Sequence, residues 1–447
     1  MKRLFGTDGI RAVAGEYPLD PATVRRFGAA LAQVLQHEPA RAARVVVGRD
    51  TRESGPWLRD AVVAGVASRG AGAVDAGLIT TPGLASCVEH GGFDAGVMIS
   101  ASHNPFEDNG LKAFGRDGVK LSDELERRIE DLMLDEEQGT PTEGAGELRE
   151  DPALARQYVR FLETVLPANR LRGHRLLLDC AHGSASRIAP EVFRHYGAEV
   201  ETRGTSPDGR NINLDCGSLH LERLSERIGR DGFDVGLAFD GDADRCLAVD
   251  RQGRVIDGDH ILFIAGRCLR RAGLLKGDGL VATIMSNFWL EERLAAEGIR
   301  LYRAPVGDKY VLERMVDEGL SLGGEQSGHI IFRDHATTGD GILTGLLLLH
   351  ALLDEEETLE ELVDGIVPCP QILLNVRVTE KPDLRVHPQI GPEVARIEGD
   401  LAGSGRVVLR YSGTEPLARV MVEGRDADRV RDHAERLAGL IRSELGA

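Results

Sequence analysis

Along the chain, short continuous apolar runs alternate with longer stretches in which apolar side chains return every three or four positions. RVVVGRD (44–50) is followed by PWLRDAVVAGVASRG (56–70), HRLLLDC (174–180) by SRIAPEVFRHYG (186–197), and LVATIMSN (280–287) by FWLEERLAAEG (288–298). The short runs suit buried strands and the longer ones amphipathic helices, so each pair predicts a strand that leads into a helix. That alternation predicts an α/β fold. The tail after Pro370 is patterned differently. ILLNVRVTE, PQIGPEVARIEGDL, RVVLRYSGTEPLARVMVEG and ADRVRDHAERLAGLIRSEL read in turn as strand, helix, hairpin and helix, a smaller α+β unit.

The patterning breaks at DEEQGTPTEGAGELREDP (135–152) and at IVPCPQ (366–371), which read as linkers, and a third boundary is expected near DRQGRVIDG (250–258). The expected units are 1–152, 153–252, 253–367 and 368–447. An internal echo supports repetition among them. GFDAG (92–96) and GFDVG (232–236) stand at the same offset before two polar loops, and a weaker third copy, GLSLGGEQSGH, begins at Gly319. In this alignment Ser100 and Ser102 fall on Asp240 and Asp242. If the copies are related units, each presents a loop at the carboxyl end of its strand, where such sheets place ligands. Chance matching of five residues is the alternative.

Composition narrows the partners. The 447 residues are 42% hydrophobic and 28% charged, ordinary globular values for a chain of three or four domains. Acidic residues outnumber basic ones by 72 to 54, a formal charge of −18, which argues against nucleic acid or an anionic membrane as a partner. An anionic substrate must therefore meet a local cluster of Arg and Lys. The six cysteines show neither C-x-x-C pairs nor a metal-ligand rhythm, which fits a reducing cytoplasm. The N-terminus has no apolar core of signal-peptide length, and the greasiest run, Ile342 to Leu353, is too short to span a bilayer. A soluble cytoplasmic protein is expected.

Four loops carry the candidate chemistry. In DGDADR, the carboxylates of Asp240, Asp242 and Asp244 alternate, so a turning backbone aims them at one point, and three anions so close need a cation. An EF-hand would require Gly and Glu where Arg245 and Arg251 stand. Three carboxylates with open positions suit Mg²⁺, which keeps water and phosphate oxygens in its shell. In GVMISASHNPFEDNGLK (96–112), Ser102 interrupts an apolar run. His103, as the next residue on an extended chain, would point away from it and so is expected to hold the loop by hydrogen bonds instead of acting as its base. No P-loop motif is present, so nothing marks an ATP site of that kind, and a covalent phosphoserine is one carrier open to any phosphate to be transferred. RYSGTEP (410–416) reads as a turn between strands, with hydroxyls, backbone N–H groups and Arg410 suited to a phosphate monoester, or as an ordinary hairpin turn. GEQSGH (324–329) offers a carboxylate, an amide and a hydroxyl of the kind that grips sugar hydroxyls, or a capped turn.

In this order FGTDGIR, SASHNP, DGDADR, GEQSGH and RYSGTEP resemble the α-D-phosphohexomutase superfamily over essentially the whole chain. The GGEQSGH form and the PDGRNINLDCGSLH stretch most resemble its bacterial phosphoglucosamine mutase branch. The resemblance implies three related α/β units with mixed sheets and a smaller C-terminal domain around a central cleft. It implies that Ser102 is the phosphoserine, that Asp240, Asp242 and Asp244 together with phosphorylated Ser102 hold Mg²⁺, and that His103, Glu325 and Ser327 belong to the substrate site. Arg410, Ser412, Gly413, Thr414 and Arg419 would contact the distal phosphate. Arg11, Lys112 and His329 resemble the family's acid/base or charge-stabilising groups, and Arg245 and Lys309 are expected to offset phosphate charge. One motif position departs from the pattern, Ala243, where many relatives carry Gly.

The implied reaction interconverts glucosamine 6-phosphate and glucosamine 1-phosphate through a hexose 1,6-bisphosphate, on the way to UDP-N-acetylglucosamine. A kinase or a bisphosphate would prime Ser102, and a homodimer is compatible. A phosphomannomutase or phosphoglucomutase would share every catalytic motif. A non-catalytic phosphosugar-binding protein would have no use for both Ser102 and three aspartates.

Overall fold

The computed structural model describes residues 4–35, 42–135, 148–412 and 416–446. The first unit comprises β1 (Ile10–Val13), α1 (Pro21–Leu35), β2 (Arg44–Arg49), α2 (Gly55–Ala67), β3 (Gly72–Leu78), α3 (Thr81–Gly91), β4 (Ala95–Ile99), β5 (Asp108–Gly115), α4 (Asp123–Leu134) and β6 (Leu148–Glu150). Its sheet has the order β1-β5-β4-β2-β3-β6. The second contains α5 (Ala153–Leu162), β7 (Arg175–Asp179), α6 (Ala185–His195), β8 (Glu199–Arg203), α7 (Glu222–Asp231), β9 (Val235–Phe239), β10 (Cys246–Val249) and β11 (Val255–Ile256), in the order β11-β10-β9-β7-β8. The third runs through α8 (Gly258–Arg271), β12 (Gly279–Thr283), α9 (Phe288–Ala296), β13 (Arg300–Ala304), α10 (Asp308–Asp317), β14 (Leu322–Gly324), β15 (Ile330–Phe332), α11 (Gly341–Glu355) and α12 (Leu359–Leu362), with sheet order β13-β12-β14-β15.

These sheets share one four-strand core: β3-β2-β4-β5, β8-β7-β9-β10 and β13-β12-β14-β15. In each, three parallel strands are followed by a fourth that returns antiparallel to the third. The loops that carry Ser102, the three aspartates and GEQSGH are therefore the same connection, from third strand to fourth, in successive units.

The echo sits at the other end of those strands. Gly92, Gly232 and Gly319 all take left-handed φ, at 69°, 72° and 68°, where each preceding helix ends. Asp94 accepts the Arg44 backbone N–H at 2.9 Å and Asp234 that of Arg175 at 2.7 Å. The two arginines lie over Phe93 and Phe233 at 4.8 and 4.9 Å. In the weaker copy Ser321 accepts the Lys276 N–H at 3.2 Å. GFDxG is thus a latch between neighbouring strands and holds no chemistry itself.

The C-terminal unit pairs β16 (Gln371–Arg377), β18 (Leu417–Gly424) and β17 (Gly405–Tyr411) in an antiparallel sheet covered by α13 (Ile390–Leu401) and α14 (Ala427–Leu445). It has its own apolar core, whereas the second and third units share one continuous core. The helix α11 explains that sharing, because it is apolar nearly all round and packs on α6, β9 and β10 of the second unit as well as on α8 and β15 of the third. Its run from Ile342 is greasy because both sides are covered. Among the described residues, no helix is long and apolar enough to cross a membrane.

Two stretches read as interruptions contain structure. Most of 135–152 lies outside the described residues, but its end forms β6, parallel to β3. The second sheet continues through 250–258, because β11 pairs with β10.

Candidate active site

Ser102 stands in the loop from β4 to β5 with φ 54°, in the left-handed region. The loop is held from behind. The Ser102 N–H donates to Ser100 Oγ at 2.9 Å, and the Ser100 hydroxyl donates to Asp50 at 2.7 Å. Arg52, 1% exposed, donates to the carbonyls of Ser102 (3.0 Å), Asn104 (2.8 Å), Asp108 (3.0 Å) and Pro105, and its Nε donates to Asp50 at 2.9 Å. From the second unit, Asn213 Nδ2 donates to the Ser102 and Asn104 carbonyls at 2.9 and 3.0 Å.

The left-handed turn changes the reading of His103. The chain is not extended there, and His103 Nδ1 lies 3.3 Å from Ser102 Oγ on the same side. Arg245 Nη1 meets the same nitrogen at 2.9 Å. Burial, with the charges of Arg245 and Arg11, pushes the His103 imidazole down to about 4, so it is neutral near pH 7 and accepts at Nδ1.

The loop from β9 to β10 presents the aspartates. Ser184 N–H donates to the Gly241 carbonyl at 2.9 Å, and a Cβ on Gly183 would lie 2.3 Å from that oxygen, so the second unit's other loop packs directly beneath. Ala243 takes φ 57°, and its carbonyl accepts the Gly341 N–H at 2.9 Å. One carboxylate oxygen from each of Asp240, Asp242 and Asp244 falls within 4.8 Å of the others, and all three residues are buried. The Ser102 hydroxyl donates to Asp240 Oδ2 at 2.5 Å. Asp242 Oδ2 accepts from Lys112 at 2.8 Å and Thr81 at 2.5 Å.

Among the described residues, Oδ1 of Asp242 and Oδ1 of Asp244 are buried with no hydrogen-bond partner. Orphaned carboxylate oxygens at the meeting point of three acids fit a divalent cation. Burial, reinforced by Asp244 and Asp242, holds the Asp240 carboxyl well above the usual range. Burial acts the same way on Asp244, but Lys112, His329 and Arg245 outweigh it and hold that group below the range.

Lys112, on β5, is fully buried and bridges Asp242 (2.8 Å), Asp244 (3.2 Å) and Asp8 (3.2 Å). Burial works against its charge, yet the three carboxylates hold it well above the ordinary lysine value. Asp8 also pairs with Arg11 and with Lys120, and Lys120 reaches Asp308 at 2.5 Å. His329 Nε2 lies 3.5 Å from Asp308, and among the described residues neither ring nitrogen has a hydrogen-bond partner. The structure thus gathers buried Ser102, Lys112, His329 and the three aspartates into one cluster with the partly buried His103, Arg11 and Arg245.

The remaining expected residues are placed around it. Glu325 accepts the Gly307 N–H at 3.0 Å, and the Ser327 hydroxyl is buried without a partner. Lys309 is drawn to α4 instead, where it meets Asp123 and, at 3.4 Å, Glu126. Arg410 and Arg419 are cross-strand partners on β17 and β18, and burial together with Arg419 lowers Arg410. Ser412 begins the adjoining turn, its carbonyl accepting from Lys381 at 2.6 Å, while Gly413 and Thr414 lie outside the described residues.

A repeated α/β unit whose equivalent loops join a buried serine to an acidic triad defines the class of phosphohexomutases. Family descriptions match in chain order: Phosphoglucomutase/phosphomannomutase, alpha/beta/alpha domain I over residues 2–140, domain II over 156–253, domain III over 257–369 and the C-terminal domain over 373–440. The chain belongs to that family. It is 48% identical to a phosphoglucosamine mutase of Solibacter usitatus (100% of this chain, 99% of the relative) and 47% identical to one of Symbiobacterium thermophilum (100% of each). In fold it is similar to a phosphoglucomutase/phosphomannomutase family protein of Burkholderia thailandensis (TM-score 0.81, 23% identity, 100% and 99% covered). It is similar also to Aspergillus fumigatus N-acetylphosphoglucosamine mutase, solved with GlcNAc-6P and magnesium (TM-score 0.70, 18% identity, 99% and 96% covered).

Proposed function

We propose that the chain interconverts glucosamine 6-phosphate and glucosamine 1-phosphate through a phosphoserine at Ser102 and a 1,6-bisphosphate, in the supply of UDP-N-acetylglucosamine. The reading rests on one observation above the others: the Ser102 hydroxyl is set against Asp240 of a triad that retains two orphaned carboxylate oxygens. The relatives of near-half identity, matched end to end, support the amino sugar.

Asp240, Asp242 and Asp244 would hold Mg²⁺ in this reading, which would supply charge neutralisation at the phosphoryl group. The phosphoryl group leaves Ser102 Oγ as its P–O bond breaks, and a new P–O bond forms to O1 of glucosamine 6-phosphate. The O1 proton passes to His329, whose ring nitrogens are unpartnered among the described residues, while Ser102 Oγ takes a proton from solvent; in the return transfer His329 gives its proton to O6 and the Ser102 hydroxyl releases its own. Lys112 and Arg245 offset anionic charge beside the serine. The bisphosphate turns around, its 6-phosphoryl group returns to Ser102, and glucosamine 1-phosphate leaves. Arg410, Ser412, Gly413, Thr414 and Arg419 hold whichever phosphate is distal.

Ser102 is first phosphorylated by a kinase or by a hexose 1,6-bisphosphate. The working units are 1–152, 153–252, 253–367 and 368–447, and reduced cysteines with a sugar-phosphate substrate suit the cytoplasm. The test is turnover by purified protein, primed with hexose 1,6-bisphosphate and Mg²⁺, of glucosamine, glucose and mannose 6-phosphates side by side. Preferred turnover of glucosamine phosphate is expected. Preferred turnover of glucose or mannose phosphate moves the assignment to phosphoglucomutase or phosphomannomutase, and none at all removes the mutase reading.

A further inference from the structure

The connector between the second and third units, Asp257-Gly258-Asp259, runs directly beneath the GEQSGH loop. The Gly258 N–H donates to the Gln326 carbonyl at 2.9 Å, and a Cβ on Gly258 would lie 2.0 Å from the Glu325 carbonyl oxygen. No other residue fits so close an approach. Asp257 caps α8, accepting the His260 N–H at 3.2 Å and meeting His260 Nδ1 at 2.6 Å with the same oxygen, Oδ1. Its second oxygen, Oδ2, accepts from Gln326 Nε2 at 3.1 Å.

That last bond fixes an orientation. An amide can be turned over with little change of shape, exchanging a donor for an acceptor. A carboxylate only accepts, so turning Gln326 over would set its oxygen against the Asp257 oxygen. Nε2 is thereby held against Asp257, and Oε1 is left to accept from a ligand, beside the Ser327 hydroxyl of the same loop.

We propose that Asp257 is a positioning residue for sugar selection: it locks Gln326 so that Oε1 is presented as an acceptor, matched to a substrate with an amino or ammonium group on the sugar. An ammonium donor makes the stronger, charge-assisted bond to that oxygen, and a hydroxyl makes the weaker neutral one. The inference rests on the amino-sugar reading above and names how this chain enforces it.

Asp257→Asn tests it, because asparagine still caps a helix but can donate to Gln326 Oε1 and so permits the turned amide. Affinities for glucosamine 6-phosphate and glucose 6-phosphate are measured by calorimetry, and kcat/KM on both, in wild type, Asp257→Asn, Gln326→Leu and the double variant. Each single variant is expected to lower the preference for glucosamine 6-phosphate by about tenfold, the size of one charge-assisted hydrogen bond. The double variant is expected to lose no more than either single, and Asp257→Asn to keep glucose 6-phosphate within about twofold of wild type. Equal losses on both sugars, or losses that multiply in the double variant, would overturn the proposal. A binding preference that falls as expected in a protein with no turnover would uphold the positioning and remove the mutase reading instead.

Discussion

The Ser102 hydroxyl and the Asp240 carboxylate, 2.5 Å apart, join the same loop of two successive repeats. One copy supplies a hydroxyl where the other supplies a carboxylate of the acidic triad. Replacing Ser102 with Ala should leave the fold intact and reduce mutase turnover by several orders of magnitude, with no phosphoprotein detectable by mass spectrometry after incubation with hexose 1,6-bisphosphate. Near-wild-type turnover would sink the covalent route.

Arg52 reaches four backbone carbonyls of the serine loop and pairs with Asp50, both side chains being 0% exposed. Arg52→Met leaves Asp50 buried without its cation and the carbonyls without their donor, so a loss of about 3–5 kcal/mol in denaturant unfolding is expected. Arg52→Lys restores charge but lacks the planar fork, and should recover only part of that stability while kcat stays depressed.

Divalent cations should raise the melting temperature, because they bind the folded triad alone. Asp242→Asn should abolish most of that rise and lower phosphoryl transfer with it. A thermal scan with Mg²⁺ and with chelator, in both proteins, checks this. An undiminished rise in the variant would place the ion elsewhere.

Glu126, beside Lys309 and Asp123, is pushed up to about 7 chiefly by burial, from 4.5 in an unfolded chain. Its folded form therefore holds a proton that the unfolded form has released between those values, and its contribution favours the folded state below about pH 4.5 and is lost as pH rises through 7. Glu126→Gln removes this titration. Relative to wild type it should gain up to about 3 kcal/mol of unfolding free energy between pH 4.5 and 8, by the usual conversion of pKa units. A difference that stays flat across that range would contradict it.

Ala243, buried at φ 57°, occupies a conformation that strains any side chain by about 1–2 kcal/mol. Glycine relieves that strain but gives up a buried methyl, worth about 0.8 kcal/mol, and gains freedom in the unfolded chain. Ala243→Gly is therefore expected to change stability by less than about 1 kcal/mol, whereas Ala243→Val should destabilise and weaken metal binding. Chemical denaturation and metal titration measure both.

What sequence reading recovers here follows from how each residue acts. The triad and Ser102 are legible because their chemistry sits in contiguous motifs at strand ends, and the repeated units because GFDxG recurs at one offset. The latch role of that motif is not legible, since it depends on Arg44 and Arg175 in neighbouring strands. Arg52, Asp50 and Asn213 escape notice because they hold the serine loop mainly through backbone carbonyls, which leave no trace in the loop's own sequence. His103 is misjudged because a single left-handed residue reverses the direction expected of an extended chain. The pairing of Lys309 with Asp123 and Glu126 is not legible either, because both carboxylates lie on a distant helix.

Because α11 closes a single core over the second and third units, the loops that carry DGDADR and GEQSGH stand on one shared frame. The serine loop and the strands β17 and β18 of the C-terminal unit stand on separate cores. That shared body is therefore the stator of the machine. If a bisphosphate turns over as proposed, the breathing it needs is expected at the seams to the two neighbours, and slow amide exchange should run unbroken across β9, β12 and α11 while it weakens at those seams.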